Sequence, residues 1–154
     1  MKNIILIISL LLISFSSFGQ RFNLGDKLTP TQEKFKFIGV SSKTNVYSYQ
    51  YVGILTDKYL YGRQIGDIVV GIKNGNIVTT IYNLIPKKND VGIPSDIIEQ
   101  VQLTLTFPLA YRNGIYGVNI DNKSISISRT NNPMTFRKDR IMLLTSIKQS
   151  ILQQ

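Results

Sequence analysis

The 154-residue chain contains no cysteine, no histidine and no tryptophan. Without cysteine there is no disulfide and no thiolate nucleophile. A lipid anchor joined through a cysteine at a leader's cleavage point is excluded as well. Without histidine, neither a Ser-His-Asp triad nor a Cys-His pair can be assembled. A zinc site of the usual nitrogen and sulfur type has no ligands, and no imidazole titrates near neutral pH to act as a general base. Acidic residues are also scarce, with nine Asp and Glu against 18 Lys and Arg and a net charge of +9. Such an excess attracts polyanions, anionic lipid surfaces or acidic protein faces.

The chain opens with Lys2, an apolar run Ile4 to Ile13 broken only by Ser9, and a polar stretch from Ser14. Ser17 and Gly19 fit the −3 and −1 positions of a signal-peptidase site. The run is about half the roughly 20 residues that a spanning helix needs. Residues 1–19 are therefore expected to be a cleavable export leader, with Gln20 first in a single domain of residues 20–154. The expected location is periplasmic or extracellular. A domain of this size can be held by its core alone.

Along the mature chain, Thr29 and Pro30 read as the N-cap and first position of a short helix, with Gln32 completing a capping box. Lys34 to Phe37 already alternates in the strand manner. Tyr47, Tyr49 and Tyr51 alternate as well and should share one sheet face. Asn74-Gly75 between two β-rich runs is a two-residue hairpin signal. It sets Ile72 opposite Ile77, Val70 opposite Thr79 and Ile68 opposite Ile81, with that face buried. Asp96 and Glu99 suggest a capping box, and Ile97, Val101 and Leu105 make an apolar helix face over 96–106, although 101–107 also alternates like a strand. A turn is expected at Asp121-Asn122-Lys123, flanked by strands Gly114 to Ile120 and Ser124 to Arg129. Residues 141–152 fit strand or helix.

The order helix, strands, helix, strands predicts an α+β domain. Its antiparallel sheet would carry one or two helices packed on one face, possibly as tandem helix-hairpin halves. Over residues 28–147 this layout resembles the small helix-plus-hairpin modules of the bacterial envelope, including the β-lactamase-inhibitor-protein-like fold. That resemblance implies a protein that binds other proteins and performs no chemistry.

The remaining chemistry is carboxylate chemistry. Glycoside hydrolysis needs two facing carboxyls about 5 to 9.5 Å apart. Asp96 and Glu99 are the closest helical pair, and helix capping explains them. No oxygen-rich loop suits Ca²⁺, and no phosphate-binding glycine loop occurs. No cofactor, metal or catalytic residue is expected. Two features point to binding instead. One is the tyrosine set headed by Tyr47, Tyr49 and Tyr51, suited to interfaces or sugars if exposed. The other is the basic group Arg129, Arg137, Lys138 and Arg140, joined by Lys87 and Lys88 if the fold brings them near. Arginine suits carboxylate or phosphate contacts. The leading expectation is an exported, non-enzymatic binding module whose partner is a protein or an anionic envelope component, with nucleic acid not expected. The alternatives are a carboxylate hydrolase acting on glycans, which requires two converging acids, and a hydrophobe carrier, which requires an apolar cavity behind the sheet.

Overall fold

The computed structural model describes residues 22–132 and 137–148, except for the side chains of 130–132, 137 and 138. Nine strands alternate with tight turns: β1 Phe35–Ser41, β2 Val46–Tyr51, β3 Tyr59–Leu60, β4 Arg63–Lys73, β5 Asn76–Ile85, β6 Ala110–Arg112, β7 Ile115–Ile120, β8 Lys123–Asn132 and β9 Arg137–Ile147. Between β5 and β6 lies one helix, α1, Ser95–Leu105. The strands form a single antiparallel sheet in the order β1-β2-β4-β5-β9-β8-β7-β6, with β3 added beside β4. Two meanders, β1 to β5 and β6 to β9, are thus joined where β9 returns to pair with β5.

The expected α+β layout does not form. Strands account for 53% of the structure and helix for 9%. The architecture is mostly antiparallel sheet, with a single short helix among the described residues. The helix start at Thr29 produces only one turn, in which Lys34 N–H and Phe35 N–H both donate to the Thr31 carbonyl, at 3.1 and 2.8 Å. Strand β1 begins at once, so the Lys34 to Phe37 alternation overrides the cap residues. With that helix gone, there are no tandem helix-hairpin halves. Residues 141–147, open between helix and strand, lie in β9 and pair with both β5 and β8. Two flanking ladders satisfy the backbone there, which a lone surface helix would have to do by itself.

Helix α1 follows the expected apolar spacing, with Ile97 and Val101 fully buried in the core. Its N-cap is Pro94, with no side-chain capping bond. Asp96 is drawn instead to Arg63, so the expected capping box does not form. Thr106, at φ +57°, ends the helix in the left-handed region.

Asn74 and Gly75 both take positive φ, +52° and +76°, as the hairpin signal requires. Ile72 faces Ile77 as expected. One residue further the ladder slips, so that Gly71 faces Thr79, Val70 faces Thr80 and Ile68 faces Tyr82. Val78 is the extra residue of a bulge, and a slip of one residue exchanges the faces of everything beyond it. Thr80 and Tyr82 therefore look toward the core, while Thr79 and Ile81 look away. A second bulge at Gly66 keeps both Ile65 and Ile68 on the core face. A Cβ at Gly75 would meet no atom within 4 Å. Gly75→Ala should therefore act only through the backbone, costing about 1–2 kcal/mol. The urea midpoint should fall with an unchanged slope.

Candidate functional site

The registers place side chains in rows across one sheet face. One row runs Tyr51, Ile68, Tyr82, Leu143, Ile127 and Tyr116. The next runs Tyr49, Val70, Thr80, Thr145, Ile125 and Val118. Helix α1 covers part of this face, and the segments 22–28 and 52–61 cover another part. The first of these is tied to the β4–β5 hairpin, where Gly25 N–H and Leu28 N–H donate to the carbonyls of Ile77 and Gly75 at 2.8 and 2.9 Å. Phe22 stands edge-on to both Phe35 and Tyr51, with centroids 5.8 and 5.3 Å apart.

These covers do not meet. Between them lies a cavity of about 930 Å³. Its floor is Ile65, Ile68, Ile125 and Leu143, interrupted by the hydroxyls of Thr80 and Thr145. Val101 and Leu105 of α1 close one side, and Leu55, Leu60 and Tyr61 close the other. The rim is polar, carrying Asn23, Asp57, Asp121 and Lys123. Lys148 stands beside it, its Nζ donating to the Asp121 carbonyl at 2.8 Å. A smaller groove of about 290 Å³ lies on the opposite face, against Val69, Ile81 and Leu144.

Tyr61 reaches this cavity from an unusual backbone. It occupies the first position of the two-residue β3–β4 turn, with φ +50° beside Gly62 at +66°. Both central positions of such a turn need positive φ, which Asn, Asp and Gly accept most readily. An aromatic residue there is strained, and strain of this kind collects at ligand clamps and other functional sites.

Next to the turn, Arg63 is only 3% exposed and binds two carboxylates. Its Nε and Nη2 donate to Asp90 at 2.7 and 2.8 Å, and its Nη1 donates to Asp96 Oδ2 at 3.0 Å. The guanidinium hydrogen bonds hold the Asp90 carboxyl below its ordinary range, against the opposing effect of burial. Asp90 raises the Arg63 pKa in return. This clamp ties the β5–α1 connection and the first turn of α1 to the sheet. A lone arginine between Gly62 and an apolar run was the signal for it, and sequence reasoning passed over it.

Of the tyrosines singled out from the sequence, all three lie on the core face, opposite Ile72, Val70 and Ile68. Tyr51 is buried and donates to the Ile54 carbonyl, Tyr49 packs edge-on to Phe37, and Tyr47 remains exposed. Period two separates the basic residues. Arg129 pairs with Ile141 on the core face, whereas Arg140 falls on the other. Arg129 is engaged by Asp139 at 2.7 Å and by the carbonyls of Asp90 and Gly92 at 2.6 and 2.8 Å. The fold thus brings the loop bearing Lys87 and Lys88 toward Arg129. The Arg129 hydrogen bond holds Asp139 below its usual range. The side chains of Arg137 and Lys138 lie outside the described residues.

The other acids are dispersed. Asp67 is buried and accepts from Asn83 Nδ2 at 2.7 Å, and Asp57 and Asp121 sit on the cavity rim. Among the described residues no group of acids could hold a metal ion, and no helix is long and apolar enough to cross a membrane. Compared with known proteins, the chain matches no family model, no curated protein and no solved structure.

Proposed function

We propose that the chain is a non-enzymatic binding protein that holds an amphiphile, its apolar chain in the core-face cavity and its polar head at the rim. The observation that carries this reading is the cavity of about 930 Å³, with an aliphatic floor and charge confined to its edge. Small-molecule sites are concave and mostly apolar, with a few placed polar groups, in a volume range of about 300–1,000 Å³. Of the functions expected from the sequence, the carrier is the one that required a cavity behind the sheet. The Thr80 and Thr145 hydroxyls and the lysines at the rim give the head or a polar kink something to meet.

The test is an equilibrium titration with the apolar dye N-phenyl-1-naphthylamine. Saturable binding of one dye per chain, displaced by palmitate, supports the reading. Fluorescence that rises without saturation, or that palmitate leaves unchanged, overturns it.

Tyr61 gives a second handle. Asn tolerates the left-handed backbone, so Tyr61→Asn relieves about 1 kcal/mol of strain while losing the ring's partial burial. Unfolding in urea should therefore change by less than about 1 kcal/mol. Dye affinity should fall about fivefold. A strongly destabilised variant that binds dye as well as the parent would make Tyr61 a packing residue alone.

A further inference from the structure

We propose that the rim of this cavity docks on an anionic lipid bilayer, from which the amphiphile is taken up; the proposal rests on the reading of the cavity as an amphiphile site. Leu103 on the last turns of α1 and Tyr59 in β3 both line the cavity from opposite sides, yet they are 77% and 66% exposed. Ile54, one residue from the lining Leu55, is 87% exposed, and Phe107 beside the lining Thr106 is also exposed. One exposed apolar side chain is ordinary. Several around one opening form a patch of the kind that marks a contact surface.

Charge decides what that contact is. The chain carries 18 basic residues against nine acidic, and the leader holds only Lys2 of the basic ones. At the mouth itself Lys123 and Lys148 stand beside Asp57 and Asp121. The pull toward an anionic surface therefore comes from the basic excess of the whole chain, with these two lysines placed to meet headgroups. Apolar side chains flanked by lysines match an interface of acyl chains beneath anionic headgroups. The source of the ligand agrees, because a molecule whose chain fills an aliphatic cavity resides in a lipid assembly more than in water. Docking the mouth on that assembly lets the chain pass from bilayer to cavity without crossing bulk water. A protein partner would cover the exposed apolar side chains around the polar rim but would not supply the ligand.

The experiment is flotation of the exported chain, its first residue fixed by mass measurement, with two kinds of vesicle. One kind is phosphatidylcholine alone, and the other is phosphatidylcholine mixed with phosphatidylglycerol. The chain should float with the mixed vesicles, less so with neutral ones, and its binding should weaken as salt is raised. Ile54→Asp combined with Phe107→Asp, two exposed residues outside the cavity lining, should reduce flotation about tenfold. Both side chains are solvated, so dye affinity should remain within about twofold of the parent. A parent chain that binds dye but does not float, or a double variant that floats as well as the parent, overturns the docking and leaves the cavity reading standing. A parent chain that binds no dye overturns the cavity reading, and the docking with it.

Discussion

Arg63→Ala should lower the free energy of unfolding by about 3–5 kcal/mol, the range found when one partner of a buried ion pair is removed. The guanidinium is 3% exposed, and Asp90 is nearly as deep. Truncating Arg63 leaves that carboxylate with a backbone donor, Lys87 N–H at 2.8 Å, no side-chain hydrogen bond from a guanidinium, and only the weaker attraction of the Lys87 and Arg129 charges. A larger loss than a surface pair gives is expected for this reason, since exposed pairs contribute about 0–1 kcal/mol. Arg63→Lys should recover only part of it, because an ammonium cannot reproduce the two parallel bonds to Asp90. The acid limb of stability should change too. Asp90 has its pKa lowered in the fold by Arg63, so its contribution is complete above the ordinary carboxyl value of 3.8 and is lost as pH falls through the lowered one. In Arg63→Ala that acid-dependent increment should shrink or vanish. Urea midpoints from neutral pH down to about 3 read it. A neutral effect of Arg63→Ala at pH 7 would mean that the clamp is not a stabilising contact.

Thr145→Trp should abolish the binding site without harming the fold. Thr145 lies on the cavity floor, opposite Thr80 and Ile125 on its two neighbouring strands. It is half-buried, and a strand position accepts an aromatic ring readily. The indole would project into open volume instead of displacing packed atoms. Dye and palmitate affinities should drop at least about tenfold, or about 1.4 kcal/mol. Stability should hold or rise, since the new ring fills space whose lining atoms lack partners on one side. Loss of binding together with loss of the urea transition would show collapse instead of blockade, and undiminished binding would place the ligand elsewhere.

Much of the fold was legible from local chemistry. Asn74-Gly75 identified its hairpin because positive φ at two adjacent residues leaves few sequence choices. Ile97 and Val101 identified the buried face of α1. The Tyr47 to Tyr51 alternation placed three rings on one face correctly. Reading failed where tertiary pairing outweighed local preference. Thr29 and Pro30 carry good cap chemistry, yet the chain turns once and enters β1. The bulge at Val78 carries no composition mark, and it exchanged Thr79 and Ile81 for Thr80 and Tyr82 on the core face. The cavity was not legible either. Its lining comes from β3, β4, β5, β7, β8, β9, α1, the segment at Phe22 and the stretch before β3. It exists because the helix and the 52–61 segment cover the sheet unequally, a property of shape that no single stretch of sequence carries. Tyr61-Gly62 was the one local hint, a positive-φ turn filled by an aromatic residue.

The most direct measurement uses isoleucine and leucine methyl resonances, recorded while palmitate is added to the folded chain. Ile65, Ile68, Ile125 and Leu143 line the core-face cavity, whereas Ile81 and Leu144 line the groove on the other side of the same sheet. The expected result is saturable shifts concentrated on the first four, with Ile81 and Leu144 unmoved. Shifts centred on Ile81 and Leu144, or no saturable shift at any methyl, would contradict the assignment of the core-face cavity as the binding site.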